Sequence, residues 1–229
     1  MLRETYDALT YLVEQVQVRR AVFTIAWIAL ISYFIGSVPA GYLVGRLAGI
    51  DIRTVGSGNI GATNVLRTLG KPLGYAVFLF DFAKGVAAVA LSIFIYDSHG
   101  AIRTSRELCG IIAAVCCVIG HVYPVWLRFK GGKGVATSAG VLFGLMPVAA
   151  VIMGLIWIVV FQATRYVSIA SIVAALAAPL VIGVMLWLGW LRTPVLLYFS
   201  LFIAAMVVVR HRSNFSRLLS GTEQRFRRK

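Results

Sequence analysis

"VATSAGVLFGLMPVAAVIMGLIWIVVF", residues Val135–Phe161, is a predominantly apolar stretch without a charged side chain. A helix that crosses a hydrocarbon core about 30 Å thick needs about 20 such residues. The stretch is longer than one such helix requires, and Pro147 near its middle would remove a helical hydrogen bond and clash with the preceding turn. The stretch therefore indicates a membrane protein. Counted as one helix it gives the chain six membrane spans, and divided at Pro147 it gives seven.

The composition of the whole chain agrees with a membrane protein. Of its 229 residues 60% are hydrophobic and 13% are charged, with a mean hydropathy of +0.88. A soluble domain would carry about 25% charged residues. The net charge of +14 does not indicate a nucleic-acid partner, because membrane proteins concentrate lysine and arginine in their cytoplasmic loops. Anionic lipid head groups are the expected neighbours of the basic tail.

The apolar runs define the predicted architecture. There are six of them: Ala21–Val44, Tyr75–Tyr96, Leu108–Leu127, Val135–Phe161, Ile169–Trp190 and Pro194–Val209. Six spans would place the basic loop after the first run and the basic tail on opposite faces, against the positive-inside rule. Splitting the fourth run at Pro147 places them on one face. We predict an all-α integral membrane protein with seven transmembrane helices, two of them short, with the N-terminus outside and the C-terminus inside.

Three regions follow from this pattern. Residues 1–20 form an N-terminal extension in which Leu2, Tyr6, Leu9, Val13 and Val16 recur at helical spacing. This spacing is typical of a helix lying on the membrane surface, with a disordered tail as the alternative. Residues 21–209 form the transmembrane domain. Residues 210–229 form a basic cytoplasmic tail, which we expect to contribute to the functional site.

The first polar motif is "GSGNIGATNVLRTLG", residues Gly56–Gly70. Its opening matches G-x-G-x-x-G, but that dinucleotide-binding motif must follow a buried strand, and a predicted membrane span precedes it here. Converging backbone N–H groups beside Arg67 would instead form an anion site. An ordinary flexible loop is the alternative. The candidate substrate-binding residues in this loop are Ser57, Gly58, Asn59 and Asn64.

A second glycine-rich stretch is "RFKGGKG", residues Arg128–Gly134. It is not a nucleotide-binding P-loop, since Gly134 follows Lys133 where that motif requires Ser or Thr. A helix predicted from Val135 would nevertheless present unpaired N–H groups and its positive dipole end to an anion. Gly132, Lys133 and Gly134 are therefore candidate anion-binding residues.

Further candidates lie in "RYVSIAS", Arg165–Ser171, and in the tail, where His211 and Asn214 share a helical face. Asp81 and Lys84, three residues apart inside a predicted span, are expected to form an ion pair that supports the loop. The acyltransferase spacing H-x-x-x-x-D is absent. No cluster of His, Cys or carboxylates suggests a metal, and no cofactor is predicted.

Taken together, these motifs resemble one family. "GSGNIGATNVLRTLG…DFAKG", "GHVYPVWLRFKGGKGVAT", "RYVSIAS" and "HRSNFSRLLSGTE" are similar to the signature stretches of the bacterial acyl-phosphate:glycerol-3-phosphate acyltransferases. The resemblance implies a seven-helix enzyme of the bacterial inner membrane with a cytoplasmic site. Such an enzyme transfers an acyl group from acyl phosphate to the 1-hydroxyl of glycerol 3-phosphate. This is the first acylation of phospholipid synthesis, and it yields lysophosphatidic acid and phosphate without metal or CoA.

The resemblance also implies roles for individual residues. Those expected in catalysis are Arg67, Lys133, His211 and Asn214, and those expected in substrate binding are Ser57, Asn59, Asn64, Ser168 and Ser171. A transporter of a phosphorylated metabolite is the alternative function, but its basic groups should line both faces or the midplane. A non-catalytic lipid-binding protein would leave the Gly56–Arg67 motif unexplained.

Overall fold

The computed structural model describes residues 2–98 and 104–226. These residues form ten α-helices and one short 3-10 helix, and no strand occurs among them. Arg103 and the tail residues Arg227 and Arg228 lie outside the described ranges. The helices are α1 (Leu2–Ser37), α2 (Ala40–Leu47), α3 (Ala62–Leu69), α4 (Lys71–Ser98), α5 (Arg106–Val122), α6 (Val135–Leu145), α7 (Pro147–Thr164), α8 (Val167–Trp187), α9 (Val195–Arg210) and α10 (Arg212–Leu219), and the 3-10 helix is Val125–Leu127.

The break at Pro147 is confirmed. Helix α6 ends at Leu145, and α7 begins at Pro147, which occupies the first helical position, where its missing N–H group costs nothing. Within residues 2–98 and 104–226, five apolar helices are long enough to cross a membrane, and α9 with α10, bent by 52°, forms a sixth candidate. Helix α6 has 11 residues, about 16 Å at 1.5 Å per residue, and is too short to cross an undistorted core alone.

Several predicted boundaries were wrong. The segment between the first two apolar runs, residues 45–74, is not one loop, because it contains the end of α2, all of α3 and the first turn of α4. Between the fourth and fifth apolar runs, at residues 162–168, only Arg165 and Tyr166 are non-helical, because α7 ends at Thr164 and α8 begins at Val167. In both places the helix continues past the apolar run, since a polar residue at the end of a span can reach water without leaving helical geometry.

The N-terminal extension is helical and continues into the first span without a break, as part of α1. Tyr6, Leu9, Val13 and Val16 are exposed along it, with relative exposures between 50% and 72%. These side chains do not contribute to the core of this chain. Their placement at the membrane surface stays a prediction.

Contacts between the helix termini define two ends of the bundle. At one end Arg210 Nη2, at the end of α9, donates to Gly131 O at 3.2 Å, and the N–H of Phe226 donates to Arg165 O at 3.0 Å. At the opposite end Thr193 Oγ1 donates to Glu107 at 3.0 Å. The long helices therefore run alternately between these ends. All the predicted anion-binding motifs lie at the first one, which we call the site end.

The short helix α6 is held by close backbone packing on α4. A Cβ atom at Gly140 would lie 2.0 Å from Phe82 O, and one at Gly85 would lie 2.5 Å from Thr137 O. Only glycine permits these approaches. The packing fixes the start of α6, and with it Lys133, beside the other site residues.

Candidate active site

A cavity of about 910 Å³ opens at the site end and extends between α4, α6, α7, α8 and α9. Its mouth is polar and cationic, whereas its interior is apolar. The polar lining includes Ser57, Asn59, Asn64, Arg67, Lys133, Gly134, Ser168, Ser171, His211, Asn214 and Glu223, and the apolar lining includes Phe82, Met153, Trp157, Phe161, Phe199 and Ile203. Of the twelve predicted site residues, ten line this cavity, and Gly58 and Gly132 do not. The cavity suits a ligand with an anionic head and an apolar tail.

Asn64 organises the first glycine-rich loop. Its side chain is buried, accepts from Ser57 N–H at 2.9 Å and donates to Ile52 O and Val55 O at 3.1 and 3.0 Å. The N–H of Gly58 donates to Val55 O at 3.0 Å. The expectation that the backbone N–H groups of this loop converge on an anion is therefore wrong for Ser57 and Gly58, because both N–H groups are used inside the loop.

These hydrogen bonds hold the backbone of the loop in one conformation. Gly56 and Gly58 have φ angles of +61° and +68°, in the left-handed region that glycine adopts without strain. The side chain of Ser57 lines the cavity beside that of Arg67. This loop therefore presents the Ser57 side chain to the cavity, whereas the N–H groups of Ser57 and Gly58 bond within the loop.

Arg67 projects from α3 towards the tail. Its Nη2 donates to Gln224 O at 2.8 Å, and its guanidinium lies 4.7 Å from the centre of the Phe226 ring. Burial lowers the pKa of Arg67 from its ordinary value, but an arginine stays charged at physiological pH. The tail therefore folds back over α3 and holds a permanent cation at the mouth of the cavity.

Lys133 and Asn214 are brought together although 81 positions separate them. Lys133 Nζ donates to Asn214 Oδ1, and Asn214 Nδ2 donates to Glu223 Oε1 at 2.7 Å. Burial lowers the pKa of Lys133 to about 8, and nearby arginines act in the same direction. The lysine is therefore a partly desolvated cation whose remaining N–H groups can bind an anion.

Glu223 is a site residue that sequence reasoning missed. It accepts from Ser168 Oγ at 3.1 Å and from Arg217 Nε at 2.7 Å, besides Asn214. Burial alone raises the pKa of Glu223, but these hydrogen bonds outweigh it and keep the net pKa below the ordinary value. A usable signal existed, since Glu223 is the single acidic residue of the basic tail.

His211 lies between α9 and α10 and is buried. Its Nδ1 is 2.7 Å from Val207 O, so the neutral ring carries its proton on Nδ1 and donates it to that carbonyl. Nε2 is then an unprotonated acceptor, on a side chain that lines the cavity. Burial lowers the pKa of His211 to about 4, and the charge of Lys133 contributes.

The second glycine-rich loop, Gly131–Gly134, is anchored from two sides. The N–H groups of Gly131 and Gly132 donate to Val122 O and His121 O. Arg210 Nη2 donates to the carbonyls of Gly131 and Gly132 at 3.2 and 3.1 Å. Within the described part of the chain, the N–H groups of Val135, Ala136 and Thr137 have no acceptor. The predicted helix N-terminus with unpaired N–H groups is therefore present at α6, and its binding of an anion stays a prediction.

The two predicted serines differ in their partners. Ser168 joins the Glu223 network. Ser171 donates to Val167 O at 2.8 Å and accepts from Trp157 Nε1 at 3.1 Å. Ser171 therefore positions an aromatic wall of the cavity, and Ser168 supports the polar mouth.

The predicted ion pair between Asp81 and Lys84 is confirmed, with Asp81 Oδ1 at 2.8 Å from Lys84 Nζ. A third residue joins it that had been given no role. His121 Nδ1 lies 2.9 Å from Lys84 Nζ and 3.5 Å from Asp81 Oδ1. All three side chains are buried, and the cluster lies beneath the second glycine-rich loop.

Comparison with known proteins now decides the family. Residues 26–221 match the family model described as glycerol-3-phosphate acyltransferase. The chain belongs to the glycerol-3-phosphate acyltransferase family. This membership supports the acyltransferase hypothesis and not the transporter alternative.

Curated relatives carry the same description. The glycerol-3-phosphate acyltransferase of Aquifex aeolicus is 42% identical over 201 residues, which cover 87% of this chain and 98% of the relative. That of Desulforudis audaxviator is 47% identical over 197 residues, covering 86% and 92%. The matched region of this acyltransferase therefore spans almost the whole length of its relatives.

Two crystal structures of PlsY, an integral membrane glycerol 3-phosphate acyltransferase, are similar to this acyltransferase. The glycerol 3-phosphate form has a TM-score of 0.76 and 40% identity, and covers 89% of this chain and 96% of that chain. The lysophosphatidic acid form has a TM-score of 0.74 and 39% identity, covering 89% and 95%. The acyltransferase is thus a multi-pass integral membrane protein with the helical fold of this family.

Proposed function

We propose that this acyltransferase moves a fatty acyl group from acyl phosphate to the 1-hydroxyl of glycerol 3-phosphate, releasing lysophosphatidic acid and inorganic phosphate. The main support is that one cavity has a cationic mouth, with Arg67 and Lys133, and an apolar interior. Both proposed substrates carry a phosphate, and the donor also carries an acyl chain. The mouth suits the phosphates and the interior suits the chain.

The described residues favour direct attack by the hydroxyl of glycerol 3-phosphate on the acyl carbonyl. Ser168 donates to the Glu223 carboxylate, but that carboxylate also accepts from Asn214 and Arg217 and its pKa is lowered, so it is a poor base for the serine hydroxyl. In the attack a C–O ester bond forms, and the bond between the acyl carbon and the phosphate oxygen breaks. Arg67, Lys133 and the N-terminus of α6 stabilise the negative charge that develops on the leaving phosphate and the carbonyl oxygen.

Two acceptors are available for the hydroxyl proton. His211 presents an unprotonated Nε2, but its pKa of about 4 makes it a weak base. A phosphate monoester has a second pKa of about 6. We propose that His211 orients the hydroxyl by accepting its hydrogen bond and that a substrate phosphate takes the proton.

The remaining polar residues support this arrangement. Ser57 and Asn59 are proposed to contact substrate directly, since their side chains line the cavity. Asn64, Ser168 and Ser171 are proposed to act through the groups they hold, because their polar atoms are already paired. Gly58, Gly132 and Gly134 are proposed to permit the loop conformations, and Asn214 to orient Lys133.

The donor experiment tests this function. Purified protein in detergent is given glycerol 3-phosphate with either acyl phosphate or acyl-CoA, and lipid product and inorganic phosphate are measured together. We expect one phosphate released for each lysophosphatidic acid with acyl phosphate, no product with acyl-CoA, and no inhibition by chelators. Equal turnover with acyl-CoA, or lipid product without phosphate release, contradicts the proposal.

The activity should depend on the charge of Lys133. Its lowered pKa means that the ammonium is present below pH 8 and is lost as the pH rises through that value. We expect kcat/KM for glycerol 3-phosphate to decline with an apparent pKa of about 8, because kcat/KM reports the free enzyme. The decline of kcat with pH should have a higher apparent pKa, because a phosphate bound beside Lys133 favours its ammonium form. A kcat/KM limb at the ordinary lysine value of 10.5 would contradict this assignment.

We also propose seven spans, formed by α1, α4, α5, α6, α7, α8 and α9, in the bacterial inner membrane, with the site end in the cytoplasm. The alternation of the helices between the two ends supports this. Single cysteines at Lys130 and Thr222 should then be protected from an impermeant label in intact cells, whereas one at Arg192 should react. The background carries alanine at Cys109, Cys116 and Cys117. Labelling of position 130 or 222 from outside the cell would contradict the proposed orientation of the protein in the membrane.

A further inference from the structure

The buried cluster of Asp81, Lys84 and His121 fixes the protonation of the histidine. An ammonium has three N–H donors and no acceptor. Lys84 Nζ donates to Val38 O at 3.0 Å, forms an ion pair with Asp81 Oδ1 at 2.8 Å and lies 2.9 Å from His121 Nδ1. Nδ1 of His121 must therefore be the acceptor in its contact with Lys84.

A neutral imidazole with an acceptor at Nδ1 carries its proton on Nε2. The neutral form also suits the burial of the cluster, because Asp81 and Lys84 already balance one another's charge. A second positive charge on His121, whose side chain is 6% exposed, would lack a partner of its own. His121 is thus a neutral side chain with a single N–H donor, at Nε2.

This donor faces the reaction cavity. His121 lines the cavity, and its Nε2 is the atom nearest to the open side of Gly132, only 2.2 Å from where a Cβ would lie. No described residue offers Nε2 a hydrogen-bond acceptor. The absence of a side chain at Gly132 therefore leaves room for the Nε2 end of the ring, next to Lys133 and the N-terminus of α6.

We propose that His121 is a further catalytic residue, whose Nε2–H donates to an oxygen of the reacting acyl phosphate group. It complements His211, which is neutral in the opposite tautomer and presents an acceptor. Lys84 and Asp81 act through His121 as positioning residues. The inference rests on the proposed function for the identity of the substrate, but the tautomer follows from the contacts of Lys84 alone.

Two matched variants separate donation from support. The amide oxygen of His121→Asn replaces Nδ1 and still accepts from Lys84, but leaves no donor at the position of Nε2. The amide nitrogen of His121→Gln falls near Nε2 and keeps a donor there. We expect kcat to fall about 10²–10³-fold in His121→Asn, the usual loss for one transition-state donor, with KM for glycerol 3-phosphate little changed. His121→Gln should recover at least tenfold of that loss, about 1.4 kcal/mol.

The activities of these two variants show whether His121 donates a hydrogen bond to the substrate or only supports the loop. Similar losses in both variants, or a better enzyme with asparagine than with glutamine, would show that His121 only supports the loop. A fully active His121→Asn would overturn the proposal outright. Thermal unfolding in detergent is measured for each variant, so that a loss of folding is recognised.

A spectroscopic measurement keeps the proposal testable even if a variant fails to fold. In wild-type protein labelled with ¹⁵N-histidine, the resonance that persists in both His99→Gln and His211→Gln belongs to His121, because the chain has three histidines, and it should show Nε2 protonated and Nδ1 unprotonated. Adding palmitoyl phosphonate should shift Nε2. A proton on Nδ1, or no shift with bound phosphonate, would overturn the proposal. Wild-type protein inactive towards acyl phosphate and glycerol 3-phosphate would instead refute the proposed function and leave the tautomer result standing.

Discussion

Lys133→Ala and Arg67→Ala should each lower kcat by about 10²–10³-fold, or ~2.7–4 kcal/mol of transition-state stabilisation, with the protein still folded in the membrane. Each substitution removes a cation that the fold holds at the mouth of the cavity. Lys133 is kept there by Asn214 and Glu223, and Arg67 by the tail. Their charges are therefore pre-oriented, and the loss should appear mainly in kcat.

A neighbouring lysine provides the control for this prediction. Lys130 belongs to the same basic stretch but is exposed and does not line the cavity. Lys130→Ala removes the same charge and should keep nearly the wild-type turnover. The measurement is phosphate release under saturating substrates, with the thermal unfolding midpoint of each variant. Turnover near wild type in both Lys133→Ala and Arg67→Ala would remove these residues from the mechanism.

Asp81→Asn should destabilise the protein by about 3–5 kcal/mol, the usual cost of leaving a buried charge without its partner. Asp81 is 2% exposed and Lys84 5%, so the lysine charge that remains cannot reach water. We expect the yield and the unfolding midpoint to fall more than the activity per folded molecule. Removing both charges, in Asp81→Asn with Lys84→Met, should cost less stability than removing the aspartate alone.

Asp97→Asn is the matched control for Asp81→Asn. Asp97 also pairs with a basic residue, Arg106, but the two side chains are 52% and 59% exposed. Such surface pairs contribute about 0–1 kcal/mol, so this variant should unfold close to the wild-type midpoint. A stable, folded and inactive Asp81→Asn protein would show that the aspartate acts in the chemistry and not in support.

The features predicted correctly from the sequence are those that depend on neighbours along the chain. The membrane class follows from long apolar runs, and the break before α7 follows from Pro147. The Asp81–Lys84 ion pair follows from a separation of three residues on one helix, since such residues share a face. In these cases helical geometry alone brings the groups together or separates them.

Errors arose where a local pattern had two physical outcomes. Glycine-rich backbone can present its N–H groups to an anion or use them internally, and in the Gly56–Gly58 loop Asn64 takes up the N–H of Ser57. Polar residues at the end of an apolar run can end a helix or continue it to the membrane surface, as at Lys71. Hydropathy does not distinguish these outcomes, because the deciding partners lie elsewhere in the chain.

From its sequence the chain could be assigned as an all-helical membrane protein, and its motifs could be matched to one acyltransferase family. Periodicity and hydropathy act over one or two helical turns, and this range suffices for helices and spans. The chemistry of the site required the packed fold. Lys133 meets Asn214 across 81 positions, and His121 meets Lys84 across 37. Whether Asn64 supports a loop, Glu223 orients an amide or His121 becomes a donor depends on these long-range contacts, because a hydrogen bond requires its two groups within about 3 Å.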